Sequence, residues 1–152
     1  DVRVLATDPV VAPETVSPDV TLVPLDALLR AADVVTLHVA YDAATRGMLG
    51  ARELALLRDG AWLVNTARGE LLDEAALLAA LESGRLAGAA LDVLADEGAT
   101  PWRDRPLVAY ARHHDNLILT PHIGGCTVES MEKTEEFMAE RLVARLRADD
   151  RR

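Results

Sequence analysis

The chain alternates short, nearly all-apolar runs with runs whose apolar positions fall at helical spacing. Residues 2–7 (Val-Arg-Val-Leu-Ala-Thr) form a β-rich run that Asp8-Pro9 stops, since proline donates nothing to a ladder. A loop with Pro13 and Pro18 leads to a second short strand over 20–23. Residues 25–29 carry apolar side chains at helical spacing. Residues 34–39 are almost continuously apolar, as a strand in the middle of a parallel sheet is. The pattern then predicts a helix over 51–58 stopped by Asp59-Gly60, and a strand over 61–65. A helix over 73–82 follows, capped by Asp73 and closed by Ser83-Gly84. Strands over 87–93 and 116–120 and a last helix over 127–147 complete the series, leaving 148–152 as a charged tail. Strands alternating with helices specify the α/β class, a parallel sheet with helices on both faces.

Composition narrows this reading. The 152 residues suffice for one domain with a sizeable core, and with only 3% aromatic residues that core must be built from Ala, Leu and Val. Sixteen basic against 25 acidic residues give a net charge of −9, with no basic stripe to meet a nucleic acid. One anionic ligand held by a single arginine remains compatible with that charge. No apolar run approaches the roughly 20 residues that span a bilayer. No leader pattern is present, and the single cysteine, Cys126, fits a reducing compartment. The expectation is a cytoplasmic protein that meets neither membrane nor nucleic acid.

Candidate chemistry gathers where strands end, the edge at which open α/β sheets bind ligands. The strand over 61–65 ends in Asn65-Thr66-Ala67-Arg68-Gly69, and Arg68 offers a planar fork that matches a carboxylate or phosphate. Its alternative role is to order its own loop. The next strand runs into Asp92, a charge inside an apolar run, and then Glu97 in the following loop. Glu97 is either a solvated loop acid beside Asp96 or a functional carboxylate. The last strand ends Thr120-Pro121-His122-Ile123-Gly124-Gly125, where His122 either caps the turn or moves a proton. Adjacent strands lie roughly 5 Å apart, so a guanidinium, a carboxylate and an imidazole from three consecutive ends could meet one small molecule. Arg68 would hold an anion, His122 would exchange a proton with an oxygen, and Glu97 would orient the imidazole. Cys126 is read as a buried small residue, and the His113-His114 pair as a surface loop rather than a metal site. No metal site is expected.

These residues resemble a known family. Val34 to Val39 with Thr45-Arg46-Gly47, Asn65 to Gly69, Gly84 to Val93 and Thr120 to Gly125 occur in the order found in the nucleotide-binding domain of D-isomer-specific 2-hydroxyacid dehydrogenases, such as D-3-phosphoglycerate dehydrogenase. The resemblance implies a Rossmann-like fold and NAD-dependent interconversion of a D-2-hydroxy acid and its 2-oxo acid. It implies that Arg68 binds the substrate carboxylate, that His122 is the general acid and base, and that Glu97 pairs with it. Asp92 would hold the nicotinamide carboxamide with the backbone near Gly124 and Gly125. His38, Thr45 and Ala67 would line the cofactor groove, and Asp8 would accept the adenosine ribose hydroxyls, favouring NAD over NADP. A homodimer through this domain is the family habit.

Two departures accompany the resemblance. Gly98, not proline, follows Glu97. The family's first βα unit, with its Gly-x-Gly-x-x-Gly turn, and its substrate domain have no counterpart here, so residues 1–147 are expected to be a partial NAD-binding domain. The absent strand would lie between those starting at Val2 and Val34, leaving two unpaired edges that invite association. An inert, self-associating module is therefore the alternative to an enzyme. A nucleotide-binding domain of other chemistry is disfavoured by Arg68, Glu97 and His122 together.

Overall fold

A computed structural model describes residues 2–149, with side chains described for 2–147. Six strands and five α-helices alternate along it: β1 Val4–Ala6, β2 Val20–Leu22, α1 Leu25–Ala31, β3 Val34–Leu37, α2 Ala51–Leu56, β4 Ala61–Asn65, α3 Glu74–Glu82, β5 Leu86–Leu91, α4 Pro106–Ala111, β6 Leu117–Leu119 and α5 Val128–Asp149. Short 3₁₀ turns lie at Pro13–Thr15, Gly69–Leu71 and Trp102–Asp104. Every strand pairing is parallel, as the apolar runs imply.

The chain divides into two compact units, 1–119 and 120–152. In the first, β3-β4-β5-β6 form one sheet and β1-β2 another. The register aligns Val35, Leu63, Ala89 and Leu117 across the four strands, and all four are buried. Leu29 of α1, Leu54 of α2, Leu77 and Leu81 of α3 and Leu107 of α4 close the core with them. Branched aliphatic side chains from helices and sheet thus fill it almost without aromatic rings. The alternate register positions Val34, Trp62 and Ile118 point the other way and are exposed.

The two sheets are not joined by a ladder, as the resemblance leads one to expect. Between them lies a cavity of about 580 Å³ lined by Val2, Val4 and Leu5 of the first strand region, Leu28 and Ala32 around α1, and Val34 and Thr36 of β3.

Local chemistry explains the element ends. Asp73 Oδ1 accepts hydrogen bonds from the amides of Ala75 and Ala76, both at 3.0 Å, and so starts α3 where the cap residue predicts. Gly84, at φ 72°, ends it in the left-handed conformation. α2 stops at Leu56, before Arg58, because the chain turns extended at Leu57 to enter β4. Helix α4 is absent from the sequence reading; six residues with Pro106 at the first position carry too little periodicity to stand out.

In the second unit, Thr127 Oγ1 accepts from the Ser130 amide at 3.2 Å and starts α5. The helix continues through Asp149, beyond the expected end at 147, and residues 150–152 of the expected tail lie outside the described residues. Phe137, Met138, Leu142 and Leu146 of this helix are exposed. Among the described residues no helix is long and apolar enough to cross a membrane.

Candidate active site

The turn after β4 is built by Asn65. Its side chain is fully buried; Nδ2 donates to the Arg68 carbonyl at 2.9 Å and Oδ1 accepts from the Ala67 amide at 3.0 Å. Both backbone groups are satisfied inside the loop, so Thr66–Arg68 holds a fixed path and Arg68 faces solvent. One guanidinium nitrogen, Nη1, donates to the Ala67 carbonyl at 2.6 Å.

The next residue, Gly69, has no room for a side chain. A Cβ there would sit 2.0 Å from the Leu94 carbonyl carbon and 2.2 Å from the Ala95 nitrogen. The Arg68 turn therefore rests directly on the loop that carries Glu97. Two carboxylates tie the pair together: Glu74 Oε1 accepts from the Ala95 amide at 2.7 Å, and Glu70 Oε1 from the Asp96 amide at 3.4 Å. Glu97, half-buried, accepts from the Leu94 amide through Oε1 at 2.8 Å. Asp92 is buried just past β5, and its amide donates to the Asn65 carbonyl at 2.9 Å. The first unit thus brings Arg68, Glu97 and Asp92 onto neighbouring, cross-tied segments.

A cavity of about 580 Å³ opens beside this turn, lined by His38, Val39, Ala40 and Tyr41 after β3 and by Thr66, Ala67 and Arg68 after β4. His38 Nε2 lies 3.0 Å from Thr36 Oγ1. Thr45 braces the loop behind: its hydroxyl donates to the Ala40 carbonyl at 2.9 Å and accepts from the Asp42 amide at 2.8 Å. The Thr45 and Ala44 amides hold the Asp42 carboxyl below the usual aspartate range. Tyr41 was not anticipated; its hydroxyl accepts from Arg46 Nη2 at 2.7 Å and Nε at 3.0 Å. Asp8 follows β1, where Oδ1 caps the turn by accepting from the Val10 and Val11 amides at 2.8 and 3.2 Å. A cleft at the carboxyl ends of parallel strands, an acid after the first strand and an arginine at the rim together suit a dinucleotide and an anionic co-substrate.

His122, Gly124 and Gly125 belong to the second unit and are exposed. His122 is held at φ 55°, a left-handed backbone that non-glycine residues adopt at a cost, and its amide donates to the Thr120 carbonyl at 3.0 Å. Cys126 is exposed, contrary to the buried reading: it closes a turn ahead of α5, its amide donating to the Ile123 carbonyl at 3.1 Å. His113 and His114 are exposed after α4, and the His114 ring stacks on Tyr110 at 3.8 Å between centroids. Among the described residues no cluster of three potential metal ligands occurs.

Residues 1–124 match the family described as D-isomer specific 2-hydroxyacid dehydrogenase, NAD binding domain. The chain belongs to this family. It is 43% identical over 119 residues to D-3-phosphoglycerate dehydrogenase of Escherichia coli strain K12, covering 78% of this chain and 28% of that protein. Glyoxylate reductase of Thermofilum pendens is 38% identical over 136 residues, or 90% of this chain and 38% of that protein. Its fold aligns with the crystal structure of D-lactate dehydrogenase from Aquifex aeolicus complexed with NAD and lactic acid, at TM-score 0.77 and 33% identity, over 97% of this chain and 47% of that one. The chain spans less than half the length of each of these relatives. The Rossmann fold and the NAD cofactor follow from the family and its neighbours.

Proposed function

We propose that this dehydrogenase chain carries the NAD-binding half, and the catalytic residues, of an enzyme interconverting a D-2-hydroxy acid and its 2-oxo acid. The observation that carries this is the strand order β4-β5-β6, whose carboxyl ends lead in turn to Arg68, Glu97 and His122. Bound NAD supplies the hydride acceptor or donor. Arg68 holds the substrate carboxylate by its planar fork, which aligns C2 for transfer. His122 removes the hydroxyl proton during oxidation and returns it to the oxygen during reduction. Glu97 orients the imidazole and stabilises its charged form. Asp92, with the backbone at Gly124 and Gly125, holds the carboxamide end of the cofactor. His38, Thr45 and Ala67 shape its groove, and Asp8 meets the ribose. Relatives named for glyoxylate reduction and phosphoglycerate dehydrogenation support a small 2-hydroxy or 2-oxo acid as substrate. In this reading the enzyme works as a cytoplasmic homodimer.

Following NADH absorbance with a panel of 2-oxo acids tests the reaction. His122→Ala is expected to cut turnover about 10²–10⁴-fold. Arg68→Lys keeps the charge but loses the fork and is expected to raise KM and lower kcat together. Undiminished turnover in either variant refutes its role.

A second reading, a catalytically inert module that self-associates, is favoured by the apolar cavity between β1 and β3 with its two unpaired edges. Calorimetry separates the two: NAD binding supports the enzyme, and stable self-association without NAD binding supports the module.

A further inference from the structure

Arg105 is among the most buried charged groups of the chain, and the proposed reaction makes no use of it. It precedes α4, and its guanidinium points back into the loop after β5. Nη1 donates to the Ala95 carbonyl at 2.6 Å, Nη2 to the Asp96 carbonyl at 2.7 Å and Nε to the Thr100 carbonyl at 3.2 Å. Glu74 Oε1 lies 3.9 Å from Nη1 and balances the charge. The same carboxylate oxygen accepts from the Ala95 amide, so Ala95 is gripped through its N–H from α3 and through its carbonyl from Arg105.

We infer that Arg105 is a positioning residue that sets the direction in which the backbone presents Glu97. The carbonyl that Nη2 holds belongs to Asp96, the residue immediately before Glu97, so the guanidinium fixes the peptide plane from which Glu97 departs. Asp96 sits at φ 50°, a left-handed conformation that aspartate adopts more readily than most residues but still at a cost. Arg105 supports it on the carbonyl side and Glu70 on the amide side. A guanidinium is the one side chain that reaches three carbonyls in a plane; an ammonium at the same place is a point charge with a different fork. The catalytic meaning of this inference rests on Glu97 being the acid of the proposed dehydrogenase. The mechanical part, a clamp on the loop, does not.

The test uses the 152-residue chain with Arg105→Gln and Arg105→Lys, read by amide hydrogen exchange and by the carboxyl carbon resonance of Glu97 through a pH titration. The charged groups on the segments around the Glu97 loop include Arg46, Arg68, Glu70, Glu74, Asp92, Asp96 and Arg105, and only Arg105 is changed. In Arg105→Gln the amides of Leu94, Ala95 and Asp96 are expected to exchange about tenfold faster than the change in global stability accounts for. The Glu97 titration is expected to shift, while the β4 and β5 amides stay protected. Arg105→Lys is expected to recover only part of this protection. A Glu97 titration that superimposes on the parent, or loop amides that change only in step with the whole unit, overturns the inference. Should Arg105→Gln fail to fold, Glu74→Ala removes the oxygen that accepts from the Ala95 amide and must mobilise the same three amides. Glu97→Gln in a turnover assay distinguishes the two layers: normal turnover removes the acid's catalytic role and leaves the exchange result standing.

Discussion

Asn65 and Arg68 are joined through the turn that separates them: the buried amide donates to the Arg68 carbonyl and accepts from Ala67. Replacing it by leucine, similar in volume but without polar atoms, leaves a carbonyl and an amide unsatisfied. The expected cost is about 1–3 kcal/mol for each group that water does not reach, measured by urea unfolding. Asn65→Asp keeps an acceptor for Ala67 but sets a carboxylate against the Arg68 carbonyl. Burial and that carbonyl raise its pKa in the folded state, so the variant is expected to lose stability as pH rises through the carboxylate range. Equal stability for asparagine and leucine would show that the turn forms without these bonds.

Gly69 and Gly98 make a paired test of the packing between the Arg68 turn and the Glu97 loop. At Gly69 a methyl group collides with backbone atoms of Leu94 and Ala95, and backbone cannot rotate away as a side chain does. Gly69→Ala is expected to destabilise by at least about 1–3 kcal/mol, with the loss appearing as a lower urea midpoint. At Gly98 nothing lies within 4 Å of the added carbon. Gly98→Ala is expected to be neutral or slightly stabilising, because it removes freedom from the unfolded chain. The same midpoint for both variants would mean the two loops are not packed as described.

The contrast between these residues shows what the sequence made legible. β3, β4 and β5 stood out because buried parallel strands are continuous apolar runs, and Arg68, Glu97 and His122 because each follows such a run. α3 was readable from both ends, from Asp73 and from Gly84. Arg105 was invisible: among Trp102, Arg103 and Asp104 it reads as one more surface charge, and nothing local announces that its partners lie nine and ten residues back. Asn65 carried a usable signal, a polar residue closing an apolar strand, but its partners lie inside a turn whose shape the sequence does not state. Cys126 was misread because burial was assumed from residue type, where the turn before α5 keeps it in solvent.

Asp42 gives a pH test in the loop that borders the His38 cavity. Its carboxylate accepts from the Thr45 and Ala44 amides, which hold its folded pKa below the ordinary aspartate value. A group with a depressed folded pKa contributes stability above its unfolded pKa, near about pH 4, and that contribution fades as pH falls through the lower folded value. Asp42→Asn keeps an acceptor but no longer titrates. Its acid unfolding curve is expected to be flatter than the parent's below about pH 4, and to match it in slope near neutrality. Identical acid limbs would place the pH sensitivity elsewhere.

Asp8 allows cofactor electrostatics to be separated from turn structure. Oδ1 already caps the turn after β1 by accepting from Val10 and Val11. Asparagine caps such turns about as well as aspartate, so Asp8→Asn is expected to leave stability within about 0.5 kcal/mol. What it removes is the negative charge that would repel the additional phosphate of NADP. Calorimetry with NAD and NADP is therefore expected to show a preference for NAD in the parent chain that narrows in Asp8→Asn, with NADP gaining more than NAD loses. Asp8→Ala loses the cap as well, and its NAD affinity is expected to fall below that of the asparagine variant. If the ratio of NAD to NADP affinity is the same in the parent and in Asp8→Asn, the acid does not read the ribose, and its role is confined to the turn.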